Sequence, residues 1–151
     1  MRKNIIDYLN DTVKKYPSKK AFIENDEVFI TYEDLSNRCK MIATNISRKY
    51  SLFREPIVIF IDKSINTLVG MFSILYSGNF YCVLDTSQPK NRIDNIINTL
   101  KPKLIISDNK NIDKIKEMNY DLDIYNIDNN EFDMDEELIK NINEKVIDVD
   151  P

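Results

Sequence analysis

The chain of 151 residues contains no histidine, only two glycines and only two cysteines. Without histidine it can form neither a Ser-His-Asp triad nor a histidine zinc site. Two glycines are too few for the G-x-x-x-x-G-K phosphate loop or the G-x-G-x-x-G dinucleotide loop. These absences exclude histidine-dependent hydrolysis and both of these glycine-rich nucleotide sites.

The two cysteines, Cys39 and Cys82, are far apart in the sequence, and neither belongs to a C-x-x-C pair. Such single cysteines are typical of core thiols in a reducing compartment. The N-terminus is charged and no apolar stretch follows it, so it does not resemble a signal peptide. We therefore expect a cytoplasmic protein.

One stretch of 21 residues, 64–84, carries no charge and is long enough to span a bilayer as a helix. Polar residues occur throughout it, and Ser77-Gly78-Asn79 divides it into a helix-like half and a strand-like half. We therefore predict a buried helix, a turn and a buried strand, and no interaction with a membrane.

Charge is distributed unevenly along the chain. Residues 1–118 carry 19 basic and 14 acidic side chains, whereas residues 119–151 carry 2 basic and 11 acidic ones. The acidic end is interpreted as a solvated edge, or else as a surface for a basic partner. Nucleic-acid binding is not expected, because the N-terminal lysines are interspersed with acidic residues rather than clustered.

The N-terminal third predicts a helix, a hairpin and a second helix. Within residues 3–16, apolar residues recur at helical spacing. After this segment, two short predicted strands are separated by the turn residues Asn25-Asp26. Thr31 and Asp34 resemble a capping box, so a helix is predicted to begin there and to end near Tyr50.

From residue 57 onward, short apolar strands alternate with helices. Strands are predicted at 57–61, 80–84, 103–107 and 122–125, with Ser64 capping the helix that follows the first of them. This order predicts an α/β fold in which helices flank a mainly parallel sheet, with the hairpin at the N-terminus. The last 20 residues are acidic and only weakly periodic.

Three of the predicted strands end in a polar residue, at Asp62, Asp85 and Ser107. Parallel sheets bind ligands beyond the carboxyl ends of their strands, so these residues are expected at the edge of the sheet where a ligand could bind. No metal site is expected: a calcium loop over Asp121–Phe132 fails, because Asn126 stands where glycine is needed.

Two stretches carry a family resemblance. Ile30–Leu35 reads I-T-Y-E-D-L, and Leu75–Asp85 reads L-Y-S-G-N-F-Y-C-V-L-D, followed by Pro89 and Arg92. They resemble the first two core motifs of amino-acid adenylation domains, L-T-Y-x-E-L and L-K-A-G-A-A-Y-V-P-L-D with P-x-x-R-I after it. Val83 stands in place of a motif proline, and this departure leaves the subfamily open.

The resemblance covers nearly the whole chain and implies the N-terminal lobe of an adenylate-forming enzyme, with residues 1–151 as a single truncated domain. The implied subfamilies are nonribosomal peptide synthetases and stand-alone carrier-protein ligases of the D-alanine type, with acyl-CoA ligases third. The implied cofactors of the parent enzyme are ATP and Mg²⁺. The implied partners are the remainder of its adenylation domain and a carrier protein.

No residue of this chain is nominated as catalytic, cofactor-binding or metal-binding. The motif residues are expected to have structural roles in capping, turns and packing, with Asp85 and Tyr81 the best placed to face a cleft. The motif residues are Thr31, Tyr32, Glu33, Leu35, Gly78, Tyr81, Asp85, Pro89 and Arg92.

The family's phosphate loop, substrate-pocket aspartate and catalytic lysine lie beyond the motifs present here, so the 151 residues alone are expected to be inactive. An alternative is a non-catalytic interaction module that uses its acidic end. Another is a receiver-like domain with Asp85 as phosphoacceptor, although that fold does not begin with a hairpin. Self-association through an uncovered sheet edge is also expected.

Overall fold

The computed structural model of the protein describes residues 4–129 and 133–146. The helices are α1 (Ile5–Lys15), α2 (Tyr32–Tyr50), α3 (Ile65–Tyr76), α4 (Lys90–Leu100), α5 (Ile112–Glu117) and α6 (Glu136–Glu144). The strands are β1 (Lys20–Ile23), β2 (Phe29–Thr31), β3 (Pro56–Phe60), β4 (Phe80–Val83), β5 (Leu104–Ser107) and β6 (Ile124–Asn126).

The structure confirms the predicted α/β fold. β3 to β6 form a parallel sheet in the order β4-β3-β5-β6, and β1 and β2 form a separate antiparallel hairpin. Because all four strands of the larger sheet run in one direction, their carboxyl ends meet at one edge. That edge is where a parallel sheet places its ligands.

Two apolar cores lie on opposite faces of the parallel sheet. Ile57 and Ile59 of β3 point into the larger core, which α1, α2, α3 and α6 cover. Val58 and Phe60 point into the smaller core, which α4 and α5 cover. β3 is therefore buried on both faces, as its uninterrupted apolar run predicts.

The start of α2 follows the predicted capping pattern. The Thr31 hydroxyl accepts a hydrogen bond from the Asp34 backbone N–H at 3.1 Å and donates one to the Asp34 carboxylate at 2.8 Å. The hairpin turn is also confirmed: the Asn25 side chain accepts hydrogen bonds from the backbone N–H groups of Glu27 and Val28, each at 3.0 Å.

The predicted cap of α3 is wrong. Ser64 occupies the N-cap position, but its side chain makes no capping hydrogen bond. The carboxylate of Glu24, which follows β1, instead accepts a hydrogen bond from the backbone N–H of Ile65. An acidic group from the hairpin therefore satisfies the start of the helix, where the helix dipole favours negative charge.

β4 differs from its prediction as a buried strand. It lies at the edge of the sheet, and the side chains of Phe80 and Val83 are 48% and 42% exposed. Its half-buried residues Tyr81 and Cys82 contact opposite cores. The physical reason is that β3 is the one strand hydrogen-bonded to β4 among the described residues.

The acidic C-terminal region forms α6 and packs against the chain's own basic residues. Asp135 caps the helix and pairs with Arg48 at 2.9 Å, and Glu136 pairs with Lys40 at 3.1 Å. Ile139, on the inner face of α6, is buried in the larger core. Two acidic residues at the start of α6 thus form ion pairs with basic residues of α2.

The uncharged stretch 64–84 forms a helix, a turn at Gly78 and a strand in the predicted order, and only the burial of the strand differs from the prediction. No helix in residues 4–129 or 133–146 has the length and apolar character needed to cross a membrane.

Candidate functional site

The carboxyl edge of the parallel sheet gathers the polar residues that follow its strands. Asp62 comes two residues after β3, Asp85 two residues after β4, and Asp108 directly after β5. Asp128 comes two residues after β6. The topology therefore brings together four carboxylates that are widely separated in the sequence.

Asp62 is held by cationic and neutral donors. Its carboxylate forms an ion pair with Lys110 and accepts a hydrogen bond from the Thr86 hydroxyl. These contacts, with Lys110 the larger influence, lower the pKa of Asp62 below its usual value. The Asp62 carbonyl also accepts a hydrogen bond from the Thr67 hydroxyl at 2.7 Å, which fixes the loop to α3.

Asp85 closes a local turn. One of its carboxylate oxygens accepts the backbone N–H of Ser87 at 2.8 Å and the Ser87 hydroxyl at 2.6 Å. These hydrogen bonds lower the pKa of Asp85. In this structure Asp85 thus closes the turn in the loop after β4.

Ser107 lies at the predicted edge, but its hydroxyl is directed into the sheet. It donates a hydrogen bond to the Phe60 carbonyl at 2.9 Å and is fully buried. The next residue, Asp108, accepts hydrogen bonds from both the backbone and the side chain of Asn111 at the start of α5. Ser107 therefore ties two strands together and is inaccessible to a ligand.

Two lysines and one arginine at this edge were not identified from the sequence. Lys110 pairs with Asp62, and Lys114 donates a hydrogen bond to the Thr86 carbonyl. Arg38 of α2 lies 3.9 Å from Asp128. The signal available for Lys110 was its place in the loop after β5, a buried strand, whereas Lys114 lies in α5 and the approach of Arg38 depends on tertiary packing.

A cavity of about 570 Å³ opens beside this edge. The hairpin forms one wall with apolar residues including Phe29 and Ile30, and the loops after β3 and β5 form the other. The polar residues in it include Glu24, Arg38, Asp62, Lys63, Asp108 and Lys110. Acidic and basic groups are mixed, so the cavity does not select one sign of charge.

The residues of the first motif build the start of α2. Thr31 caps the helix, Leu35 is fully buried, and Tyr32 packs against the larger core. The backbone N–H groups of Tyr32 and Glu33 donate to the carbonyls of Lys19 and Pro17, each at 3.0 Å. The motif therefore fastens α2 to the segment that precedes the hairpin.

The residues of the second motif form the turn into β4 and the start of α4. Gly78 has a positive φ of 75°, and Tyr81 is half-buried against the larger core. Pro89 is the N-cap of α4 rather than part of its first turn, and Arg92 is exposed. Of the two residues expected to face a cleft, Asp85 is exposed at the edge while Tyr81 packs inward.

The carboxylates at the edge are thus occupied by local donors rather than converging on one point. Within residues 4–129 and 133–146, no group of three or more acidic or cysteine side chains is arranged to hold a metal ion. This edge is a polar rim whose carboxylates contact neighbouring side chains.

Comparison with known proteins gives a consistent family assignment. The sequence model of the family described as "AMP-binding enzyme" matches residues 9–149. A nonribosomal peptide synthetase of Aspergillus flavus is 31% identical over 109 residues, which are 69% of this chain and 1% of the relative. The D-alanine–D-alanyl carrier protein ligase of Staphylococcus haemolyticus is 30% identical over 104 residues, which are 69% of this chain and 20% of the ligase.

Solved structures share the fold. A four-domain nonribosomal peptide synthetase bound to AMP and glycine superposes with a TM-score of 0.78 at 17% identity, over 92% of this chain and 10% of that one. The N-terminal subdomain of a Klebsiella oxytoca protein in complex with anthranilyl-AMSN gives a TM-score of 0.71 at 18% identity, over 92% of this chain and 33% of that one. The chain thus spans a small part of its relatives, and its fold is that of the N-terminal subdomain of adenylation domains.

Proposed function

Because the chain belongs to the family of AMP-binding enzymes, we propose that it supplies the N-terminal part of an amino-acid-activating enzyme. The whole enzyme would join an amino acid to AMP and transfer the aminoacyl group to the phosphopantetheine thiol of a carrier protein. The observation that carries this proposal is the family match over residues 9–149. The carrier-protein ligase among the relatives supports the carrier as acceptor.

The proposed co-substrate and cofactor of the whole enzyme are ATP and Mg²⁺. Their binding would rest on residues outside this chain, since its described carboxylates are engaged locally and its two glycines cannot form a phosphate-binding loop. Adenylation brings together two anions, the carboxylate of the amino acid and ATP. It needs backbone N–H donors and cations to stabilise the negative charge that develops. The described residues do not fit that task, so no catalytic step is assigned to them.

The role proposed for this chain is to scaffold the enzyme. Thr31 and Leu35 fix α2 against the larger core, and Gly78 permits the turn that leads into β4. The other parts of the proposed adenylation domain would pack against this unit. Free thiols at Cys39 and Cys82 support a reducing, cytoplasmic location for the enzyme.

The inactivity of the 151-residue chain is tested by amino-acid-dependent ATP–pyrophosphate exchange. The purified chain is assayed with a panel of amino acids, and the Staphylococcus haemolyticus ligase with D-alanine serves as the positive control. We expect no exchange above the level seen without enzyme. Exchange by the purified chain with any amino acid would contradict the scaffold role.

The proposed activity of the whole enzyme needs a separate experiment. An antibody raised against the 151 residues captures the natural protein from its own cells, and the captured protein is sized and assayed for the same exchange. We expect a protein much larger than 17.8 kDa whose exchange depends on one amino acid. A captured protein of 17.8 kDa without exchange would contradict the proposed function.

A further inference from the structure

The C-terminal helix α6 is attached to the body of the protein less extensively than α2 and α3. Ile139 is the one buried residue among its nine, whereas α2 and α3 each bury seven residues. Isolated helices shorter than about 12–15 residues are marginal in water. α6 therefore depends on its contacts with the rest of the chain to stay helical.

The side of α6 that faces α1 is not closely packed. A cavity of about 850 Å³ lies between the two helices, and its lining includes Asn10 and Lys14 of α1 and Lys140 and Glu144 of α6. Across such a gap the side chains lose the dispersion contacts that packed neighbours make. The packing that holds α6 in place therefore comes mainly from the other side, where it meets α2.

The amino end of α6 is fastened by a polar stripe on α2. Lys40, Thr44 and Arg48 are spaced four residues apart, so they lie on one face of that helix. Lys40 Nζ lies 3.1 Å from a carboxylate oxygen of Glu136, and Arg48 Nη2 lies 2.9 Å from Asp135 Oδ2. The Thr44 hydroxyl accepts the backbone N–H of Asp135 at 3.1 Å. We call Lys40, Thr44 and Arg48 the latch.

Both ion pairs of the latch are open to water. The side chain of Arg48 is 52% exposed and that of Glu136 is 59% exposed. Exposed pairs of this kind contribute little to stability, and dissolved salt screens them further. The latch can therefore release while α2 stays in place, because α2 is held by its own buried residues.

The carboxyl end of α6 is held by hydrogen bonds to its backbone. Arg54 Nη2 donates to the Lys145 carbonyl at 3.3 Å, and Asn4 Nδ2 donates to the Val146 carbonyl at 3.2 Å. Both distances lie at or beyond the long end of the usual range, so these contacts are weak anchors. Between the two ends, Ile139 enters the larger core.

We propose that α6 is a strap that opens as one unit while the sheet and the other helices stay folded, and that the latch on α2 controls how often it opens. Local opening of this kind is typical of segments with few buried contacts and exposed hydrogen bonds. β3 provides the contrast, because all five of its residues are buried and it cannot open without loss of both cores.

The consequence for the enzyme rests on the proposed function. α6 is the last helix that the structure describes, and the family resemblance places the phosphate loop further along the chain. In the whole enzyme the strap would lie between this unit and that loop. Because ion pairs hold it, the tightness of this connection would depend on ionic strength.

The test is native-state hydrogen exchange of the 151-residue chain, followed by NMR at about 0.01 M and about 1 M NaCl, where the screening lengths are about 30 Å and 3 Å. At low salt, the amides of residues 139–144 should exchange at least about tenfold faster than those of β3, with similar opening constants along the helix. High salt should raise the opening of α6 about two- to fivefold relative to β3, as expected for screened surface ion pairs.

Two variants on α2 form a matched pair. Arg48→Gln removes one ion pair of the latch. Lys49→Gln removes the same charge from the next residue, whose ammonium lies 5.3 Å from the centre of the Tyr50 ring on α2 itself. Arg48→Gln should speed the exchange of residues 139–144 about two- to fivefold at low salt, with β3 unchanged. Lys49→Gln should leave both regions as in the wild type.

Three results would overturn the proposal. Amides of α6 that exchange as slowly as those of β3 would mean that α6 opens only when the whole chain unfolds. Protection that falls steadily toward Glu144 would mean a frayed helix end instead of a unit. Equal effects of Arg48→Gln and Lys49→Gln would mean that total charge, and not the latch, controls the opening. None of these readouts involves catalysis, so they are independent of the pyrophosphate-exchange test of the proposed function.

Discussion

β3 and β4 are neighbouring parallel strands with similar apolar sequences, P-I-V-I-F and F-Y-C-V, yet their exposure differs. Phe60 of β3 is fully buried, whereas Phe80 of β4 is 48% exposed. β3 has a hydrogen-bonded strand on each side and β4 has one neighbour among the described residues. The comparison teaches that the burial of an apolar strand is set by what packs beside it as well as by its own residues.

The largest expected effect comes from truncating the two phenylalanines. Phe60→Ala should lower the free energy of unfolding by about 3–5 kcal/mol, because it leaves a cavity in the smaller core. Phe80→Ala should cost about 1 kcal/mol, because about half of that side chain is already in water. Urea unfolding followed by circular dichroism at low protein concentration measures both. Equal losses would mean that Phe80 is covered, and the contrast between the strands would fail.

The sequence allowed most of the fold to be predicted, because local patterns determine most of its elements. The Thr31 cap involves a neighbour three residues away, and the run that forms β3 is apolar throughout. The cap of α3 was missed, because its acceptor is Glu24, which is 41 residues from Ile65 in the sequence. The exposure of β4 was missed for the same reason, since it depends on strand order.

The candidate site was predictable to a smaller degree. The positions of Asp62, Asp85 and Ser107 at the carboxyl edge follow from the order of strands, and that expectation is confirmed. Their partners do not follow from it. The ion pair of Asp62 with Lys110 joins two loops 48 positions apart, and the inward hydroxyl of Ser107 depends on the register between β3 and β5.

The second expected effect concerns the turn that leads into β4. At Gly78, φ is 75° and an added Cβ would lie 2.8 Å from side-chain atoms of Phe53 and Ile142. Gly78→Ala should therefore lower the free energy of unfolding by about 2–4 kcal/mol, from backbone strain and overpacking together. The same urea titration measures it.

Gly70 supplies the matched control for that substitution, because it lies in α3 between β3 and β4. An added Cβ there would lie 3.3 Å from Ile59 Cδ1, a contact that a small side-chain shift relieves. Gly70→Ala should leave stability within about 1 kcal/mol of the wild type, because alanine also favours the helix. If Gly70→Ala were the more damaging change, the turn into β4 would not be the sensitive point.

The smallest expected effect is on the pH dependence of stability, and it compares the carboxylates that follow β3 and β4. Asp62, after β3, has its pKa lowered mainly by Lys110, whereas Asp85, after β4, has its pKa lowered mainly by the neutral Ser87. A carboxyl whose pKa is lower in the folded protein contributes stability above its unfolded value of about 3.9. That contribution is lost as the pH falls through the folded pKa.

Salt should distinguish these two contributions. About 1 M NaCl shortens the screening length to about 3 Å, so it should weaken the pair of Asp62 with the exposed Lys110 and leave the Asp85 turn nearly unchanged. Urea unfolding at pH 6 and pH 3, at low and high salt, is compared for the wild type, Asp62→Asn and Asp85→Asn. The acid-dependent difference between the wild type and Asp62→Asn should shrink with salt, while the one for Asp85→Asn should persist. Equal salt dependence in both would mean that the two strand ends are held by the same kind of interaction.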